Sequence, residues 1–125
     1  MASKFADVFA ALKPVLASQA RRLSVQTDKA TEYTLMTKSP SPFPQHKGRP
    51  MWFGALKVGK AYVSYHLLAL YMNPALTKTV SPELKKRMQG KACFNFKVTP
   101  APATVAELKR LTAAAVKHYA TEGLL

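Results

Sequence analysis

Near the start of the chain the apolar residues recur at helical spacing. Phe5, Val8, Phe9, Leu12, Val15 and Leu16 fall on one stripe of a 3.6-residue period. Ser3 precedes the stripe and is expected to cap the helix, its hydroxyl accepting an orphan backbone N–H. Pro14 has no N–H and disfavours helix at Lys13, which predicts a kink or a restart there. Arg21 and Arg22 suit the negative end of the helix dipole, so the helix is expected to end near Arg22.

The period then changes to two. Tyr33, Leu35 and Thr37 alternate with Thr34, Met36 and Lys38, which predicts a half-buried strand within residues 24–38. Residues 39–48, SPSPFPQHKG, contain three prolines and a glycine and read as a loop or β-edge connection, not a helix. RPMWFGALK and KAYVSYH predict a hairpin turning at Val58-Gly59, with Gly59 at positive φ. In its first strand Met51, Phe53 and Ala55 share one face and Trp52, Gly54 and Leu56 the other. In its second, Ala61, Val63 and Tyr65 oppose Tyr62, Ser64 and His66. Both faces carry apolar groups, which places this pair centrally in a sheet.

Residues 67–80 are ambiguous and predict an irregular or short helical crossing interrupted at Asn73-Pro74. Ser81 as cap, Pro82 at the first position and Glu83 in the first turn open a helix. Lys85, Lys86 and Arg87 fall in its later turns and Gly90 is expected to end it. In KACFNFKV, Ala92, Phe94 and Phe96 alternate with Cys93, Asn95 and Lys97, a further strand. PAPA at 100–103 is a rigid connector, and Thr104 with Glu107 fits a capping box. Val105, Leu108, Leu111, Ala115 and Tyr119 form the last buried stripe, and Gly123 ends that helix. The order predicts the α+β class: a single two-layer domain over 1–125, with an antiparallel sheet of about four to five strands. The N- and C-terminal helices pack on that sheet.

Composition narrows the class. A chain of 125 residues is a prior for one domain, and 48% hydrophobic residues exclude a disordered one. No apolar run approaches the ~18 residues of a membrane span. MASKFADVFAALK has no long apolar stretch and carries Lys4 and Asp7, so no secretory signal is expected and a cytoplasmic location is. The single cysteine excludes an internal disulfide.

Charge is the outlier: 19 basic residues against 6 acidic, +13 net. Such a chain attracts polyanions. The densest group is Lys85, Lys86, Arg87 and Lys91, with Arg49 and Lys97 expected nearby across the strands. The leading expectation is a small basic binding or adaptor domain, not an enzyme. Its partner would be nucleic acid or an acidic protein. The blander reading is a solvated basic surface. Trp52, Tyr62, Tyr65, Tyr71, Phe94 and Phe96, interleaved with Arg49, Lys57, Lys60 and Lys97, are either core packing or a stacking platform for single strands. Trp52, Tyr62, Tyr65 and His66 are the candidate lining of a small-ligand pocket on the sheet face.

His46, His66, His118, Cys93 and the six carboxylates lack ligand spacing, so no metal site or cofactor is expected. GxSxG, P-loop and GxGxxG motifs are absent. A Cys93–His66 nucleophile pair would require both side chains on one sheet face, which strand phase alone leaves open.

The succession GRPMWFGALKVGKAYVSYH, then SPELKKRMQGKACFNFK, then a Pro-containing link and a terminal helix resembles the YdhG-like family. This is a domain of unknown function whose best-described branch is a bacterial frataxin-like iron chaperone. Similarity is clearest over Gly48–Val98, with the helix Val105–Tyr119 following in order. The resemblance implies an antiparallel sheet with helices packed on it and no enzymatic activity. For the best-described branch it implies iron binding in the service of iron–sulfur assembly, the alternative function here. No residue of this chain is carried over as an iron ligand.

Overall fold

Five antiparallel strands follow one another in space as they do in sequence. The computed structural model describes the backbone from Ala2 and the side chains from Phe5 onward to Leu125. Helix α1 spans Ala2–Ala17, followed by a 3-10 turn at Ala20–Arg22. The strands are β1 (Ser24–Lys29), β2 (Glu32–Pro40), β3 (Pro50–Val58), β4 (Val63–Leu67) and β5 (Cys93–Phe96), in sheet order β1-β2-β3-β4-β5. Between β4 and β5 lie three one-turn helices: α2 (Ala69–Met72), α3 (Pro74–Thr77) and α4 (Pro82–Lys85). Helix α5, Pro102–Thr121, closes the chain. The α+β expectation holds, with five strands. No described helix is long and apolar enough to cross a membrane.

The core lies between the sheet and the two long helices. Val8, Leu12 and Leu16 of α1 and Leu108, Leu111, Ala115 and Tyr119 of α5 are fully buried or nearly so. They meet Leu35, Leu56, Val63, Tyr65, Leu67, Phe94 and Phe96 from the sheet. The Tyr65 hydroxyl contacts Thr112 Oγ1 of α5 at 2.6 Å, which fixes the inward face of β4. The Tyr119 hydroxyl donates to the Trp52 carbonyl at 2.7 Å.

Several local expectations change. Helix α1 runs through Pro14, because the buried stripe continues on both sides and packing outweighs one lost hydrogen bond. It ends at Ala17 rather than Arg22, and Ser3, the expected cap, lies inside it; the Ser3 side chain is outside the described residues. Residues 24–38 form two strands, joined at Ala30-Thr31, with Lys29 opposite Glu32. The added strand is β1, which is exposed almost throughout and so carries no core-facing alternation.

The β3–β4 connection is a four-residue loop, since Val58 pairs with Val63 and the Gly59 N–H donates to the Tyr62 carbonyl at 2.9 Å. Gly59 is not at positive φ; Lys47, Gly48, Gly90 and Gly123 are. Helix α4 starts at the Ser81 cap as expected but stops at Lys85. Met88 then bridges to Phe94, and Gly90, at φ 75°, turns the chain into β5. Helix α5 begins at Pro102 after Ala101, so Thr104 caps nothing and Glu107 reaches Ser81 instead.

A bulge in β3 resets the facing of its residues. The pairing steps from Leu35–Gly54 to Met36–Trp52, so Phe53 is the extra residue. Phe53 packs edge-on against Tyr119 at 5.1 Å, on the helix side. Ala55 lies in register with Thr34 and His66, so it does not share a face with Phe53 as simple alternation predicts.

Candidate anion-binding groove and outer sheet face

The outer face of the sheet is built of cross-strand rows. Lys29, Glu32, Lys57, Ser64 and Asn95 stand opposite one another in one row. Thr34, Ala55, His66 and Cys93 form the next. Directly opposed residues share a face, so His66 and Cys93 meet on one side, which strand phase in the sequence could not decide. The Trp52 ring lies beside His66 with centroids 5.7 Å apart and planes tilted by 59°.

A hydrogen-bonded chain runs along this face. His66 Nε2 lies 3.0 Å from Ser64 Oγ and 3.9 Å from Cys93 Sγ. The Cys93 thiol donates to Asn95 Oδ1 at 3.3 Å. The Asn95 amide donates to Gln89 Oε1, which also accepts from the Tyr62 hydroxyl at 3.3 Å. Burial pushes the Cys93 thiol up from its ordinary range. Burial first, and Lys57 second, push the His66 imidazole down. Both shifts favour the uncharged forms, thiol and neutral imidazole.

At one end of this chain lies an open groove of about 410 Å³ whose lining includes Tyr62, Lys86, Arg87, Gln89, Asn95 and Lys97. An adjoining cavity of about 190 Å³ shares Arg87 and Lys97 and adds Glu83 and Thr104. Local folding makes the groove. Because α4 is cut short, Arg87 enters the β-like segment that pairs with β5; its carbonyl accepts from the Asn95 N–H at 2.8 Å. Lys86 has Glu83 at 3.4 Å, an exposed pair of little strength. Among the described residues Arg87 and Lys97 have no carboxylate partner within 4.0 Å.

The other expected residues scatter. Lys85 is exposed in α4 and lines neither cavity. Lys91 sits over the Tyr71 ring at 5.7 Å, toward the Cys93 end of β5. Arg49 precedes β3, at the end that pairs with Pro40, whereas Lys97 follows Phe96, which pairs through Val63 to Val58 at the opposite end. Arg49 is thus removed from the groove by the length of β3 and lies beside His46 and Lys47.

The expected pocket of Trp52, Tyr62, Tyr65 and His66 does not assemble as a unit. Tyr65 is fully buried on the helix side, and burial drives its hydroxyl far above the ordinary phenol range. Tyr62 is in the β3–β4 loop, its hydroxyl donating to Gln89 from the segment before β5. Phe94 and Phe96 are core residues too, which leaves Trp52, Tyr62 and the 63%-exposed Tyr71 accessible. Asn95 and Gln89 were not singled out from the sequence; the alternation CFNF did mark Asn95 as sharing the Cys93 face. No group of three His, Cys, Asp or Glu side chains gathers as a metal-binding cluster among the described residues.

No family model, curated protein or solved structure matches this chain.

Proposed function

We propose that this chain is a non-enzymatic binding domain of YdhG-like type that holds an anionic partner in the groove formed by Lys86, Arg87 and Lys97. One observation carries the reading: three cations from two separate segments line one concave surface, and two of them have no carboxylate partner among the described residues. Unpaired cations around a concavity concentrate positive potential, and anions that enter release condensed counterions. The overall charge of +13 adds a long-range attraction that the groove focuses.

Retention on immobilised heparin across a salt gradient tests this. Arg87→Glu with Lys97→Glu should elute at clearly lower salt than the parent chain. Lys109→Glu with Lys117→Glu removes the same charge from the exposed side of α5 and should shift elution much less. Equal shifts in the two double variants would reduce the groove to a share of the net charge and overturn the assignment.

A further inference from the structure

We propose that the anionic partner is single-stranded nucleic acid, its phosphates running along Arg87, Lys97 and Lys57 and a base stacking on Trp52 at the other end of the outer sheet face. This rests on the groove reading above and names the partner of that groove.

The outer face offers two kinds of group in a fixed order. Cations stand at the Lys97 end of β5. The Trp52–His66 pair stands at the Cys93 end, because His66 is directly opposite Cys93. Cys93 and Lys97 are four residues apart, roughly 13 Å at the ordinary strand rise of ~3.3 Å per residue. Lys57 lies between the ends, in the row with Ser64 and Asn95. Ser64, Asn95 and Gln89 surround that middle position with hydrogen-bonding groups. A polyphosphate would use the cations alone. A partner with both phosphates and flat apolar rings uses both ends.

The shape of the face favours unpaired bases. Reading a duplex by sequence takes a helix or ribbon that enters a groove, whereas a strand-built surface with an aromatic ring offers stacking that only splayed bases can reach. Trp52 is suited to that part. Its backbone carbonyl is held from behind by the Tyr119 hydroxyl at 2.7 Å, and its side chain is partly exposed. Two acids lie near this path: Glu83, already paired with Lys86 at 3.4 Å, and Glu32 in the row beside Lys57, which accepts from Thr34 Oγ1 at 2.7 Å. Glu32 stands on the β2 side of Lys57, away from β4 and β5.

The test uses the full chain and an oligo-deoxythymidine about a dozen nucleotides long, within the ~4–16 that such surfaces engage. Trp52 is the only tryptophan, so intrinsic fluorescence reports its environment directly. Titration should quench that fluorescence, and labelled oligomer should bind more tightly than a duplex of the same length. Trp52→Leu should weaken oligomer binding roughly 5- to 150-fold, which corresponds to the ~1–3 kcal/mol of one base–aromatic stack. Its heparin elution should stay unchanged. Trp52→Phe keeps a ring and should recover part of the loss, and the quenching of the parent chain requires no variant to fold. Binding without quenching, with duplex and heparin held as well as the oligomer, overturns the nucleic-acid assignment and leaves the groove standing. Failure to bind heparin, duplex and oligomer alike overturns both.

Discussion

Ser81 and Glu107, 26 residues apart, are joined by two hydrogen bonds. The Ser81 N–H donates to Glu107 Oε2 at 2.7 Å and its hydroxyl donates to Oε1 at 2.6 Å. The same hydroxyl accepts from the Leu84 N–H at 3.2 Å and so caps α4. One carboxylate of α5 thereby fixes the segment that leads to Lys86 and Arg87. Glu107→Ala leaves two donors without their acceptor and should cost about 1–3 kcal/mol. Glu107→Gln keeps one acceptor oxygen and should cost less. Urea unfolding at constant slope measures both. A loss below about 0.5 kcal/mol in the alanine variant would show that water replaces the carboxylate without penalty.

The buried pair Tyr65–Thr112 has a direction that bookkeeping of protons reveals. The Thr112 hydroxyl has one hydrogen, and it donates to the Leu108 carbonyl at 2.7 Å. The 2.6 Å contact is therefore Tyr65 donating to Thr112 Oγ1. Tyr65→Phe removes a donor and strands no other, so it should cost about 1 kcal/mol. Thr112→Val leaves a phenol hydroxyl buried without an acceptor and should cost more, about 1–3 kcal/mol. The double variant should be less destabilised than the two losses added together. Thermal or urea unfolding of the three chains decides this; strict additivity would mean the hydroxyls do not interact.

Elements whose periodicity faces the core were legible in the sequence. The stripes of α1 and α5, the alternation of Tyr33 and Leu35 and that of Phe94 and Phe96 all mark buried positions. Two kinds of feature were not legible. Strand β1 buries nothing that would mark it, so its hairpin with β2 left no alternation to read. Long-range pairing was the other. Glu107 matches a local capping box three residues from Thr104, yet its carboxylate is claimed by Ser81, because the chain starts α5 three residues earlier, with Ala101 at the cap and Pro102 at the first position. The groove was half legible for the same reason. Lys86 and Arg87 stand out as a local run, and Lys97 joins them through β5 pairing. Arg49 fails because a strand carries it to the far end of the sheet.

Gly54 packs against β4 and α1. A Cβ there would lie 2.6 Å from the His66 carbonyl oxygen and 3.3 Å from Leu67 Cδ2. Backbone oxygen cannot yield as a side chain can, so Gly54→Ala should force the strands apart. The expected cost is about 1–3 kcal/mol, the ordinary penalty of overpacking. Gly48→Ala meets nothing within 4 Å but sits at φ 78°, so its strain comes from the backbone alone. Because His66 belongs to the outer face, Gly54→Ala should also displace it. Amide chemical shifts of Ser64, His66 and Cys93 should move in that variant and stay in place in Gly48→Ala. Unmoved shifts would show that the neighbouring strand absorbs the extra methyl.

His66 gives the fold a pH-dependence whose sign follows from its surroundings. Burial, and then the Lys57 ammonium, hold its imidazole below the ordinary value of about 6.5. Between that lowered value and 6.5 the unfolded chain binds a proton that the folded chain does not, so stability rises with pH across the window. The contribution is complete above about 6.5 and lost as pH falls through the folded value. Cys93 gives the opposite slope at high pH. Its raised thiol keeps a proton that the unfolded chain releases above about 8.5, so stability falls there. Urea midpoints between pH 5 and 8 measure the first effect. His66→Gln should flatten the low-pH slope. Lys57→Gln should narrow the window, since the imidazole then returns toward its ordinary value. A slope that survives unchanged in His66→Gln would assign the pH-dependence to other groups and remove His66 from the account.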